Sequence, residues 1–105
     1  MKLLTKELRA KLPKLYSQEK KGEDATVYVK FFCPWNSWTW FATEFDGEDR
    51  FFGLVYGHET ELGYFSLSEL ESVRGFGGLG IERDLHFEPK TLREVRQEHA
   101  KHFGR

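Results

Sequence analysis

Apolar and polar positions along the chain alternate between the period of a helix and that of a strand. Leu4, Leu8, Leu12 and Leu15 recur at helical spacing with Lys and Arg between them, which predicts an amphipathic opening helix entered at Thr5. Pro13 disfavours helical geometry in the residue before it, so this helix is expected to stop near Lys11, with Pro13 to Tyr16 as a separate turn. Ser17 to Asp24 is polar, contains Gly22, and reads as a loop. From Thr26 the period falls to two: Val27, Val29, Phe31 and Cys33 point one way and Thr26, Tyr28 and Lys30 the other, predicting one strand with one apolar face.

Pro34 to Ser37 is a turn, followed by a second strand over Trp38 to Phe45, with Trp38, Trp40 and Ala42 opposite Thr39, Phe41 and Thr43. Asp46-Gly47-Glu48-Asp49 has the composition of a tight hairpin turn, glycine accepting positive φ and Asp tolerating it. Strands three and four are then expected at Phe51 to Tyr56 and Thr60 to Phe65. Ser66 with Glu69 forms a capping-box pair before a short helix carrying Leu67, Leu70 and Val73 on one face, which the glycines at 75–80 end. Ile81 to Phe87 reads as a last, irregular strand. A closing helix follows, capped by Thr91 with Glu94, with Leu92, Val95, His99 and Phe103 as its inner stripe.

These elements predict an α+β fold: a small, mainly antiparallel meander of four or five strands with short helices packed on one face. The expected organisation is a single domain over 1–105, with a helical segment and loop over 1–25, the sheet with its inserted helix over 26–87, and the C-terminal helix over 88–105. Aromatic residues occupy both faces of the strands, so the sheet needs two covers. If the helices supply only one, a homodimer is the way to obtain the other.

Composition adds detail to this picture. Ten Phe, four Tyr and three Trp can fill a core without much aliphatic bulk, each buried ring removing about 150–250 Å² from water. A net charge of −1 excludes a polyanion or a strongly basic nucleic-acid binder, and a strict DNA mimic would be far more acidic. The charges are unevenly spread: residues 31–73 hold eight acids against Arg50 alone, while both flanks are net basic. With one cysteine, Cys33, no intramolecular disulfide is possible, and a reducing, cytoplasmic setting fits. The first residues show no apolar leader, and no run approaches the ~20 apolar residues of a membrane span, so neither a targeting signal nor a membrane role is expected.

Several residue groups invite a chemical reading. Gly75-Phe76-Gly77-Gly78-Leu79-Gly80 matches a dinucleotide-binding glycine string, but it follows a helix and precedes a strand, the reverse of the required order, so it reads as a loop. Cys33 lacks a resolving cysteine and lies on an apolar strand face, which makes it structural. His99 and His102, with Glu98, are too few for a metal set, and His58 and His86 are isolated. Carboxylates at Glu44, Asp46, Glu59, Glu61, Glu82 and Asp84 could pair into a hydrolytic site centred on Asp84, but Arg83 between Glu82 and Asp84 favours structural ion pairing there. Trp35, Trp38, Trp40 and Phe41 could stack bases, yet residues 31–49 carry no Lys or Arg to hold phosphates.

Four segments together resemble a known family: Trp38 to Asp46, Phe51 to Val55, Glu61 to Leu70 and Ile81 to Phe87. Over roughly residues 4 to 95 the chain is identified as similar to the bacterial domain-of-unknown-function family 2958, and the C-terminal extension after Glu94 lies outside the resemblance. The resemblance implies a small protein carried by plasmids, phages and other mobile elements; it brings no catalytic residues.

The expectation is therefore a non-enzymatic, protein-binding regulatory protein of a mobile genetic element, acting on a host or plasmid protein, such as a component of a defence system. No cofactor and no metal are expected. Trp35, Trp38, Trp40, Glu44, Asp46, Glu59 and Glu61 are the expected partner-binding residues. The alternative is a nucleic-acid-associated accessory protein using Lys6, Arg9, Lys11, Lys14, Arg93 and Arg96.

Overall fold

Local signals set the helices. In the computed structural model, which describes residues 1–104, α1 (Lys6–Lys11) starts at Thr5, whose hydroxyl accepts the Leu8 N–H at 3.2 Å, and it ends before Pro13. The Ser66 hydroxyl likewise accepts the Glu69 N–H at 3.0 Å to open α2 (Leu67–Ser72). Thr91 and Glu94 form a reciprocal capping box on α3 (Leu92–Phe103), which closes on Gly104 in the left-handed region. The polar segment before the strands contains short 3-10 turns over Glu19–Asp24.

The strands are β1 (Thr26–Val27), β2 (Val29–Phe32), β3 (Thr39–Phe45), β4 (Arg50–Tyr56), β5 (Thr60–Ser66), β6 (Glu82–Arg83) and β7 (Lys90–Thr91). Five of them form an antiparallel sheet in the order β5-β4-β3-β2-β6, and β1 pairs with β7 in a separate ribbon, Thr26 opposite Thr91. The class is α+β, with a five-stranded antiparallel sheet and short helices. Within it β2 through β5 run as a meander.

Each face of the sheet carries its own core. On one side Val29, Phe31, Phe45 and Phe51 pack with Leu4, Leu12, Ile81 and the α2 residues Leu67 and Leu70. Phe45, Phe51 and Phe65 stand directly opposite one another on three successive strands, with ring centroids 4.5 and 5.2 Å apart. On the other side Phe41, Leu54 and Tyr56 pack with Ala25, Val27 and the α3 residues Leu92 and Val95. The helices thus divide between the two faces instead of gathering on one as expected: the apolar stripe of α3 supplies the second cover.

Two irregularities place residues where alternation alone does not. The strand expected over Thr26 to Cys33 breaks at Tyr28, whose N–H donates to the Ala42 carbonyl at 2.9 Å. The cause lies far along the chain, because β7 captures β1 in the ribbon. Val27 therefore enters the α3 core, while Val29 enters the α2 core. In β3 the register runs from Ala42 opposite Gly53 to Glu44 opposite Phe52, leaving Thr43 as the extra residue of a β-bulge. The Thr43 hydroxyl donates to the Phe52 carbonyl at 3.1 Å. Beyond the bulge the faces are exchanged, so Phe45 joins Ala42 in the α2 core and Glu44 turns to the α3 side.

The irregular strand expected over Ile81 to Phe87 is regular only at β6, where Arg83 lies opposite Phe31. The Arg83 guanidinium donates to the carbonyls of Lys2 and Leu3 at 2.6 and 2.8 Å, clasping the N-terminal segment. It does not pair with the flanking Glu82 and Asp84, as their order in the chain suggests. Asp84 instead meets Lys30 at 3.7 Å and accepts the His86 N–H at 2.9 Å.

Candidate functional site

The most exposed apolar surface is built on the glycine string. Gly77 and Gly78 adopt φ of 72° and 79°, a conformation that side chains oppose, and the resulting turn leaves Phe76 96% exposed. Gly75 lies flat against an indole: a Cβ there would stand 2.7 Å from the Trp35 ring. Trp35 is 39% exposed, Leu79 50% and Val73 36%. Below Leu79 a groove of about 370 Å³ runs between Met1, Leu70 and Ile81, with Glu71 and Glu82 as its carboxylates. Arg74, its one basic side chain among the described residues, is turned inward to the carbonyls of Glu71 and Val73 at 2.6 and 2.7 Å.

The other expected partner-binding residues do not join this surface as a set. Trp38 is half-buried, with its ring packed where a Cβ on Gly57 would stand and 5.3 Å from the His58 ring. Trp40 is half-buried beside it, ring centroids 5.8 Å apart. Asp46 is exposed but engaged, its Oδ1 accepting the N–H groups of Glu48, Asp49 and Arg50 at 2.8, 2.8 and 3.0 Å. Those backbone donors from Glu48 and Asp49 hold its carboxyl below the ordinary value. Glu59 and Glu61 are exposed at the start of the outer strand β5.

Glu44 departs furthest from expectation, because it is no surface acid. It is 4% exposed, and its Oε1 and Oε2 accept the backbone N–H groups of Tyr16 and Gln18, both at 2.8 Å. This anchors a strained turn, since Tyr16 has φ of 72° in the left-handed region. Gln18, itself buried, bridges the same region by donating to the Thr26 and Thr43 carbonyls at 2.8 Å. Glu44 lines a pocket of about 260 Å³ whose other walls include Phe52, Leu62, Leu92, Tyr16 and Tyr64. Hydrogen bonding to Tyr16 raises the Tyr64 hydroxyl above its ordinary pKa; burial and the charge of Glu44 act in the same direction.

The basic residues of the alternative reading are distributed over both faces. Lys6, Arg9 and Lys11 lie on α1, which packs through Leu8 with the α2 core, and Lys14 is exposed just beyond. Arg9 donates to the Gly47 carbonyl at 2.7 Å and lies over the Phe45 ring. Arg93 and Arg96 lie on α3 across the sheet, paired with Asp24 and Glu23 respectively. No single basic surface unites the two sets.

A cleft of about 380 Å³ beside α3 gathers histidines and lysines over Phe41 and Phe87. Its carboxylates are engaged, Asp84 with Lys30 and Glu98 with Lys90 at 3.0 Å. His99 is buried and stacked on Tyr56, ring centroids 3.5 Å apart. Cys33 is buried in the α2 core. Among the described residues no three His, Cys, Asp or Glu side chains are grouped to hold a metal ion, and no helix is long and apolar enough to cross a membrane.

Two features escaped the sequence reading. The exposure of Phe76 had a signal, a large ring set between glycines with no partner at strand or helix spacing. The pocket at Glu44 had none, because it depends on the bulge. A family model described as "Protein of unknown function (DUF2958)" matches residues 3–105, so the match extends through α3, beyond the range of the resemblance. No curated protein and no solved structure matches the chain.

Proposed function

The chain belongs to the DUF2958 family of proteins of unknown function, and we propose that it is a non-enzymatic regulatory protein that works by binding another protein through the surface around Phe76. The observation that carries this reading is Phe76 itself, held 96% exposed on a turn next to Gly75, which packs on the exposed Trp35, and in the same loop as the exposed Leu79. A single exposed apolar side chain is ordinary; a group of them next to a groove marks a surface that meets a partner. Aromatic anchors of this kind carry a large share of binding energy when a partner pocket closes over them. The carboxylates of Glu71 and Glu82 beside the groove favour a partner segment that is apolar with basic flanks. The mobile-element setting implied by the resemblance makes a host or plasmid protein the partner, with defence components as the first class to test.

Tagged wild-type protein and a Phe76→Ser variant are used as baits in nuclease-treated host lysate, and retained proteins are identified by mass spectrometry. The variant is expected to unfold at the same denaturant midpoint, because the side chain buries almost nothing, and to lose a stoichiometric partner that wild type retains. A partner kept equally by both baits, or retained only while nucleic acid is intact, overturns the proposal. The second of those outcomes would favour the nucleic-acid reading.

A further inference from the structure

We infer that the pocket at Glu44 is a binding site for a primary alkylammonium group, carried by a free aliphatic amine or by a lysine side chain. The inference rests on the α3 side of the sheet and is independent of the surface around Phe76.

Glu44 is 4% exposed, yet among the described residues no Lys, Arg or His lies within ion-pair distance of it. Its hydrogen-bond partners, the N–H groups of Tyr16 and Gln18, are neutral dipoles, one on each oxygen. They stabilise the carboxylate without cancelling its charge. Arg50, two residues from Phe52 on the neighbouring strand, lies over the Tyr64 ring, 5.5 Å from the centroid. A carboxylate can accept about four hydrogen bonds, so two backbone donors leave acceptor capacity directed elsewhere.

The space beside that carboxylate has a definite chemistry. The pocket of about 260 Å³ is walled by Phe52, Leu62 and Leu92, with the Tyr16 and Tyr64 rings also lining it. An ammonium on an aliphatic stem matches both parts: a compact three-donor head for the carboxylate, and methylenes against the apolar and aromatic walls.

The geometry is also built in advance. The bulge at Thr43 turns Glu44 into the pocket, and the left-handed backbone of Tyr16 is held by the hydrogen bond that Glu44 accepts. Strain and bulges of this kind recur at sites that must aim a side chain. An ion pair formed at such a preorganised carboxylate requires little rearrangement.

Amide NMR spectra of the labelled full chain, titrated with n-butylammonium, with Nα-acetyl-lysine N-methylamide and with 1-butanol, test the assignment. Saturable shifts at the Tyr16 and Gln18 amides are expected with the ammonium probes, and about tenfold or more weaker binding with the alcohol. Saturation by both ammonium probes identifies a lysine side chain as a source; saturation by n-butylammonium alone identifies a small free amine. Glu44→Gln should abolish binding. Because that variant can also lose the turn at Tyr16, Leu62→Trp provides a second test, filling the pocket from an exposed strand position while leaving the carboxylate in place. Loss of binding with retained spectral dispersion supports the site. No saturation by either ammonium, equal binding of the alcohol, or undiminished binding to folded Leu62→Trp overturns it.

Discussion

The carboxylate of Asp46 collects three successive backbone N–H groups at the hairpin between β3 and β4. Its sequence neighbours made the turn legible, since Asp and Gly satisfy local backbone demands; its exposed charge suggested a partner contact, whereas the structure uses it on the chain itself. The backbone donors lower its pKa from the ordinary 3.8, so the folded state favours the ionised form. A carboxyl lowered on folding contributes stability that is complete above its unfolded pKa and is lost as pH falls through the folded one. Asp46→Asn is therefore expected to lower stability at neutral pH, by about 1 kcal/mol or less because the site is exposed. Urea midpoints of wild type and variant should converge as pH falls below the ordinary carboxyl range and through the lowered pKa of the folded state. A difference that stays constant between neutral and acid pH would show that the charge contributes nothing.

At the scale of the element, what could be read from the chain was what adjacent residues decide. The ends of α1 and α3 follow from Thr5, Pro13 and Thr91 with Glu94, all acting within a few residues. The break at Tyr28 and the bulge at Thr43 were not readable, because each is set by a strand elsewhere: β7 capturing β1, and Phe52 pairing with Glu44. The candidate site inherits this division, with Phe76 announced by its glycines and Glu44 concealed by the bulge. Deleting Thr43 provides a direct check on the bulge. With Ala42 and Glu44 then adjacent, regular alternation keeps Glu44 on the α3 side and Phe45 beside Phe51 on the α2 side, so the deletion removes the extra residue without exchanging a face. The deletion variant should keep its near-ultraviolet circular dichroism and a cooperative denaturant transition, at a midpoint lowered by loss of the Thr43 hydrogen bonds to Phe52 and Gln18. Loss of the cooperative transition would refute the reading of Thr43 as the one extra residue.

Across the whole molecule, the five-stranded sheet carries a core on each side, and the two cores share β3 and β4. Phe41 and Ala42 are neighbours in β3 but face different cores, as do Phe51 and Leu54 in β4. Damage to one core should therefore be felt in the other. Leu54→Ala, in the α3 core, is expected to destabilise by about 2–5 kcal/mol. Native-state hydrogen exchange should show the slowest amides around Phe31 and Phe51, in the α2 core, losing protection by the same amount as those around Tyr56. Retained protection around Phe31 in that variant would reveal two independent units.

The break at Tyr28 carries this coupling into the ancestry of the fold. A single stretch of chain leaves one layer and enters the other within the space of that residue, so no cut between residues separates the two halves cleanly. Neither side can be transplanted, duplicated or exchanged as a module without taking part of the other with it. The two sides of the sheet must be inherited together.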